Sequence, residues 1–155
     1  YYGGDVQAEM MNMLGYDAMA VGNHEFNNGP EWLLRFAEQL EFPLLMSNAD
    51  LTGEPELREA LAKSAVIEKD GERIGLIGVT PVTNDELSSP GPNIVFTDPS
   101  PAIQAEIGGA PAFTNSPIRM RMVASELGSR IRTERSPVST KSAVMPAIRI
   151  TPPSR

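Results

Sequence analysis

The amino-acid sequence predicts an α/β protein. Three observations carry that reading. Short apolar runs that fit buried strands alternate with segments of helical periodicity. An Asp70-Gly71 pair stands between two strand-like segments, a strong hairpin signal. Both patterns stop together near Glu106, where the composition changes.

The first helix is expected from Asp5, a natural N-cap, through Leu14, with Val6, Ala8, Met10, Met11, Met13 and Leu14 as apolar positions and Gly15 as its stop. Met10, Met11, Met13 and Met19 read as adaptable core filler. Ala18 to Val21 fits a short buried strand, followed by a glycine turn and the loop Asn27-Asn28-Gly29. Pro30 suits the first turn of a second helix, whose face Trp32, Leu33, Phe36, Ala37 and Leu40 runs to about Glu41. Phe42 to Ser47 is the next buried strand. Strand, helix and strand joined by short links predict a parallel pair with a right-handed crossover.

After that strand, Asn48-Ala49-Asp50 turns polar, with turn roles for Asn48 and Asp50, and Pro55 to Ala62 fits a short helix. Ser64–Glu68 and Arg73–Val79 form the hairpin around Lys69-Asp70-Gly71-Glu72, and Gly75 and Gly78 point to close backbone approach. Residues 80–93, with Pro81, Pro90, Gly91 and Pro92, read as a surface loop. Ile94 to Phe96 is a short strand, and Asp98-Pro99 opens a helix to about Ile107. Beyond Gly109 the apolar positions Ile118, Met120, Met122, Val123 and Leu127 would support one short helix at most.

The charge is as divided as the pattern. The net charge is −7 over 155 residues, but residues 1–105 carry 17 acidic and 5 basic side chains, against 3 and 8 in 106–155. The second part holds no Asp, seven Ser and six Pro. We therefore expect a partial domain over 1–107 and a low-order Ser/Pro/Arg-rich tail over 108–155, too poor in apolar pattern to offset its ordering entropy. Loss of Asp with a gain of Arg, Ser and Pro also fits a shifted reading frame after about residue 106. An acidic chain is a poor general nucleic-acid binder, which needs clustered Lys and Arg. The absence of cysteine removes disulfides, thiolate metal sites and a cysteine nucleophile. No apolar run approaches the ~20 residues of a membrane span.

The chemistry concentrates in Gly22-Asn23-His24-Glu25-Phe26, which holds the chain's only histidine. A neutral oxygen ligand, a proton-transfer group and a carboxylate occur within three positions, just after a strand. Open α/β sheets gather their ligands at such strand ends.

This pentapeptide, in its setting, resembles the calcineurin-like metallophosphoesterases, and closely their bacterial 5′-nucleotidase and 2′,3′-cyclic phosphodiesterase branch. The resemblance extends to Ala8-Glu9-Met10-Met11-Asn12, Leu14-Gly15-Tyr16-Asp17-Ala18, Phe42-Pro43 onward to Asn48, Glu72 to Thr80, and Ser88-Ser89-Pro90-Gly91, covering residues 1–105. It implies part of a β-sandwich flanked by helices, with two divalent metal ions (Mn, Zn, Mg or Ca) at the strand edges. A metal-bound water would attack a phosphate ester of a nucleotide. Asn23 would be one metal ligand and His24 the catalytic residue that stabilises the transition state or protonates the leaving oxygen. Glu25 and Asn27 would brace them. The substrate would be a small nucleotide, either a 5′-monophosphate or a 2′,3′-cyclic phosphate, with sulfate esters also open. The location would be periplasmic, cell-wall or extracellular.

Two departures stand out. The branch usually carries Asp four positions after the metal-binding Asn, where this chain has Asn27; a carboxylate would favour a protonated imidazole and an amide does not, so His24 should be a weaker acid catalyst. The remaining family ligands, an Asp-x-His and a Gly-Asp before this segment and later histidines, have no counterpart in the 155 residues. The expectation is a piece of a nucleotide phosphoesterase, inactive alone. The alternatives are a non-catalytic remnant or a small binding module with a basic tail.

Overall fold

The computed structural model describes residues 4–109, 119–124 and 148–149. Its elements run α1 (Asp5–Met13), β1 (Met19–Ala20), a 3-10 turn (His24–Phe26), α2 (Pro30–Glu38), β2 (Leu44–Leu45), β3 (Ala49–Asp50), α3 (Pro55–Ala60), β4 (Ser64–Lys69), β5 (Glu72–Val79), α4 (Asn84–Leu87), β6 (Val95–Phe96), α5 (Pro99–Gly109), β7 (Arg119–Ala124) and β8 (Ile148–Arg149). The α/β class and the alternation of elements are those expected.

β1 and β2 pair in parallel, Met19 opposite Leu44 and Ala20 opposite Leu45, with α2 as the crossover. The pair extends by one further bond, from the Val21 amide to the Leu45 carbonyl at 3.1 Å. Beyond β2, the Ser47 amide and hydroxyl both donate to the Gly78 carbonyl, and the Thr80 amide donates to the Asn48 side chain. Residues 47–48 thus run alongside 78–80 in the same direction, so β1, β2 and β5 all end at one edge. β4 and β5 form the hairpin, antiparallel over six residue pairs. Its two tip residues, Asp70 and Gly71, both have positive φ, of 53° and 76°. That is the combination a two-residue turn between twisted strands requires.

The core is a contiguous cluster of Val21, Phe26, Leu33, Leu44, Met46, Leu51, Leu57 and Ile94. α2 contributes Leu33, with Phe36, Ala37 and Leu40 packed at the margin, which accounts for its apolar face. α1 behaves differently. Only Ala8 is buried, while Val6, Met10, Met13 and Leu14 are exposed. The reading of Met10 and Met13 as core filler is therefore corrected; of that set, Met19 does pack against the core. Asp5 is not the N-cap either: Gly4, at φ 89°, occupies that position and Asp5 is the first helical residue. Gly15, at φ 68°, closes the helix as expected.

Two further corrections concern loops. Residues 80–93 are not simply a surface loop, because α4 lies within them and its Asn84 is fully buried. Residues 119–124 form a strand in parallel register with β5, Ile74 opposite Arg119 through Val79 opposite Ala124, rather than part of a short helix. Alternation along Arg119-Met120-Arg121-Met122 is a strand period, and pairing with β5 overrides the weak helical pattern. Ile148–Arg149 (β8) pair antiparallel with β7, so these two strands depart from the low order expected over 108–155; the remaining residues of the tail, Leu127 among them, lie outside the described residues. No helix among the described residues is long and apolar enough to cross a membrane.

Two carboxylates stabilise turns. Asp98, just before α5, accepts a hydrogen bond from the Ser100 amide at 2.8 Å, and Asp50 accepts bonds from the Thr52 amide and hydroxyl. Bonding to Ser100 holds the Asp98 carboxyl below its ordinary value, and bonding to Thr52 does the same for Asp50. A carboxyl lowered on folding adds stability above its unfolded pKa, and that stability is lost as pH falls through the folded value. Asp98→Ala is accordingly expected to lower the melting temperature at pH 6, with the difference vanishing once pH lies well below the ordinary value of 3.8. Melts of both proteins across that range check it.

Candidate active site

Gly22-Asn23-His24-Glu25-Phe26 leaves β1 and coils at once into the 3-10 turn. Two backbone bonds close it, Phe26 N–H to the Asn23 carbonyl and Asn27 N–H to the His24 carbonyl, each 3.1 Å. Glu25 folds back so that its carboxylate accepts the Gly22 N–H at 2.7 Å. That contact fixes the entry to the turn and gives the carboxylate a local bracing partner. Phe26 anchors the turn from below. Its ring is fully buried and meets Phe96 edge-to-face at 5.7 Å, while its carbonyl accepts N–H groups from both Gly29 and Ser89.

With Phe26 pinned inward, His24 and Asn27 lie on the exposed side of the turn. The Asn27 amide nitrogen is 3.2 Å from His24 Nδ1. With the amide as donor, a neutral His24 carries its proton on Nε2, which faces away from Asn27 and is free to reach a ligand.

Asn23 is the unusual member. It is 8% exposed, yet its side chain makes no capping bond at the head of the turn and has no hydrogen-bond partner among the described residues. The other two buried asparagines among the described residues are satisfied. Asn48 donates to the Thr80 and Thr97 carbonyls at 2.9 Å each and accepts the Thr80 amide at 2.8 Å. Asn84 donates to the Thr80 hydroxyl at 3.1 Å. A buried amide without a partner costs about 1–3 kcal/mol, so one that persists beside a lone histidine marks a place where something else bonds to it.

The structure thus brings Asn23, His24, Glu25 and Asn27 into one turn, at the edge where three strands end. Asp50 makes the expected turn with Thr52, but it also ends β3, paired with β6, a strand not expected from the sequence. Asn48 does not take the turn role expected of it: it is a buried cross-link, and neither it nor Asn84 was singled out from the sequence as a structural polar residue. The partners of Asn48, Thr80 and Thr97, are far away in the chain, whereas those of Asn84, Thr80 and Ser88, are four residues off on either side within a stretch that reads as loop.

Among the described residues no three of His, Cys, Asp and Glu come together as metal ligands would. Asn23 fits one position of a metal centre, offering a neutral amide oxygen, and the described residues do not supply the remainder of a two-metal site. A concavity of about 540 Å³ lies elsewhere, lined by Asp5, Glu9, Asn12, Met13, Gln39 and Glu41. The candidate site is an open wall rather than a closed pocket.

Comparison with known proteins gives this wall a family. No protein-family model matches the chain. It is 42% identical to the 5′-nucleotidase of Diplobatis ommata over 111 residues, which cover 69% of this chain and 19% of that protein. It is 33% identical over 128 residues to the trifunctional nucleotide phosphoesterase protein YfkN of Bacillus subtilis, covering 63% of this chain and 9% of that one. The crystal structure of the 5′-nucleotidase precursor from Thermus thermophilus superposes with a TM-score of 0.70 at 37% identity, over 77% of this chain and 24% of its own. The fold alone is shared with the crystal structure of calcineurin-like phosphoesterase YfkN, at 22% identity and a TM-score of 0.55, over 77% of this chain and 42% of that one. The chain belongs to the calcineurin-like phosphoesterases, in the branch that holds the 5′-nucleotidases. It spans about a fifth of the length of the first curated relative.

Proposed function

We propose that this chain carries one wall of a nucleotide phosphoesterase site, with Asn23 as a ligand to one of two divalent metal ions and His24 as the catalytic residue. The observation that carries the reading is the buried Asn23 amide without a partner among the described residues, one residue from an exposed imidazole. Divalent metal, when bound, would supply the charge that draws a phosphate ester in and activates water. The chain's own part is narrower. Asn23 presents an oxygen, His24 holds a proton at Nε2 for the leaving oxygen, and Glu25 and Phe26 keep the turn that aims both.

Nucleoside phosphates are the proposed substrates, which the names of the relatives support. Hydrolysis of nucleotides outside the cytoplasm, in the periplasm, cell wall or medium, is the setting that goes with them. We assign residues 108–155 no part in this chemistry; β7 and β8 within them join the sheet of β5, and we propose a shifted reading frame as the origin of the stretch.

A single amide ligand does not hold a metal pair, so the isolated chain is proposed to be inactive. Incubated with nucleoside monophosphates and Mn²⁺, Mg²⁺ or Zn²⁺, it is expected to release no phosphate above the protein-free rate. Metal-dependent release that persists in His24→Ala would contradict the assignment.

A further inference from the structure

The three buried asparagines among the described residues divide into one free amide and two satisfied ones, and the satisfied pair has a destination. Asn48, at the end of β2, grips Thr80 from both sides of its peptide, accepting its N–H and donating to its carbonyl. The Thr80 hydroxyl accepts from Asn84, which is itself fully buried. The Asn84 carbonyl accepts both the Ser88 amide, at 3.1 Å, and the Ser88 hydroxyl, at 2.7 Å. The next residue, Ser89, donates its N–H to the Phe26 carbonyl at 3.2 Å.

A second route leaves the same asparagine. The Asn48 carbonyl accepts the Thr97 amide at 2.9 Å and the Thr97 hydroxyl at 3.2 Å, and the Asn48 amide donates to the Thr97 carbonyl. Thr97 follows Phe96, whose ring abuts Phe26. One route thus holds the Phe26 carbonyl and the other its ring. Phe26 is the inward pin of the turn that points His24 and Asn27 outward.

We propose that Asn48 and Asn84 are positioning residues for His24, acting through Phe26. The buried network sets the curvature of the 3-10 turn, and that curvature holds the Asn27 amide within bonding distance of His24 Nδ1. Satisfied buried networks of this kind rigidify what they touch, and a missing member leaves its neighbours unpaired. The proposal rests on His24 being the reacting residue, but its test reads the ring rather than turnover. Failure of the coupling is therefore separable from failure of the chemical assignment.

His24 is the only histidine, so its ring nitrogens give unambiguous signals in the ¹⁵N-labelled full chain. At alkaline pH, where the ring is neutral, the unmodified chain is expected to give one pyridine-like and one pyrrole-like nitrogen, as a single tautomer requires. Asn84→Ala and Ser89→Pro, which removes the N–H that grips Phe26 and fixes φ at that position, are each expected to collapse this pattern toward an averaged pair of shifts. Leu76→Ala is the control, a buried residue outside both the network and the core cluster that holds Phe26, and is expected to leave the pattern intact. Where Asn84→Ala does not fold, judged by Trp32 fluorescence and circular dichroism, Ser89→Pro decides. An averaged pattern in the unmodified chain, an unchanged pattern in folded Ser89→Pro, or an equal collapse in Leu76→Ala overturns the proposal.

Discussion

Gly78→Ala is expected to unfold the chain or come close to it. A β-carbon at Gly78 would collide with the Leu45 side chain and its backbone carbonyl, because the end of β5 crosses β2 at contact distance. The obstacle is main chain, and it is committed: the Leu45 carbonyl already accepts the Val21 amide, and the Gly78 carbonyl accepts both donors of Ser47. Neither strand can shift without breaking the bonds that bring β1, β2 and β5 to one edge. Overpacking of this kind costs about 1–3 kcal/mol even where side chains yield, and here roughly 3 kcal/mol or more is expected. That is a large share of the ~5–15 kcal/mol that stabilises an ordinary domain. Gly108→Ala is the comparison. Nothing lies within 4 Å of its added β-carbon, its φ is not positive, and it sits in α5. Gain of a few tenths to about 1 kcal/mol is expected there, from helix propensity. Denaturant melts of the two variants followed by Trp32 fluorescence measure the contrast; similar midpoints would refute the close crossing.

Phe26→Ala is expected to cost about 3–5 kcal/mol, the range for emptying a fully buried aromatic site. Val21, Leu33 and Phe96 would lose a common neighbour, and the 3-10 turn its inward anchor. The loss should therefore register twice, in the unfolding midpoint and at His24. Phe26→Leu fills most of the volume and is expected to recover more than half of the stability. A Phe26→Ala protein as stable as the parent would place the turn outside the core.

Features governed by local interactions could be read from the sequence, and those governed by distant ones could not. The β4–β5 hairpin was legible because Asp70 and Gly71 themselves supply the left-handed conformations. Helix α2 was legible because Pro30 and the spacing of Leu33, Phe36, Ala37 and Leu40 lie within three turns of one another. The Asn23–His24 pair could be found because both residues leave one strand. Three things escaped. β7 carries an alternating Arg-Met pattern, but a Ser/Pro-rich setting masked its period, and its partner β5 is remote in the chain. The exposed side of α1 looks like a core stripe in sequence, since nothing local distinguishes a face that is covered from one that is not. Asn48 reads as a turn residue because its partners Thr80 and Thr97 are remote, and Asn84 as a loop residue because its partners Thr80 and Ser88, though near in the chain, lie in a stretch punctuated by Pro81, Pro90 and Gly91. The same partners separate Asn23, whose amide is left over, from the asparagines that are spent on the fold.

A segment exchange decides whether the Asn23–His24 turn is the wall of a working site. Residues 4–109 of this chain replace the matching segment of the Thermus thermophilus 5′-nucleotidase, which supplies the rest of its own domain, and phosphate release from nucleoside monophosphates is measured with divalent metal. Metal-dependent hydrolysis by the folded hybrid is expected. His24→Ala should lower it by about 10²–10⁴-fold, the usual contribution of a positioned proton donor, and Asn23→Ala should bring a comparable loss. A folded hybrid without activity, or one whose rate is untouched by either substitution, would refute the assignment of both residues.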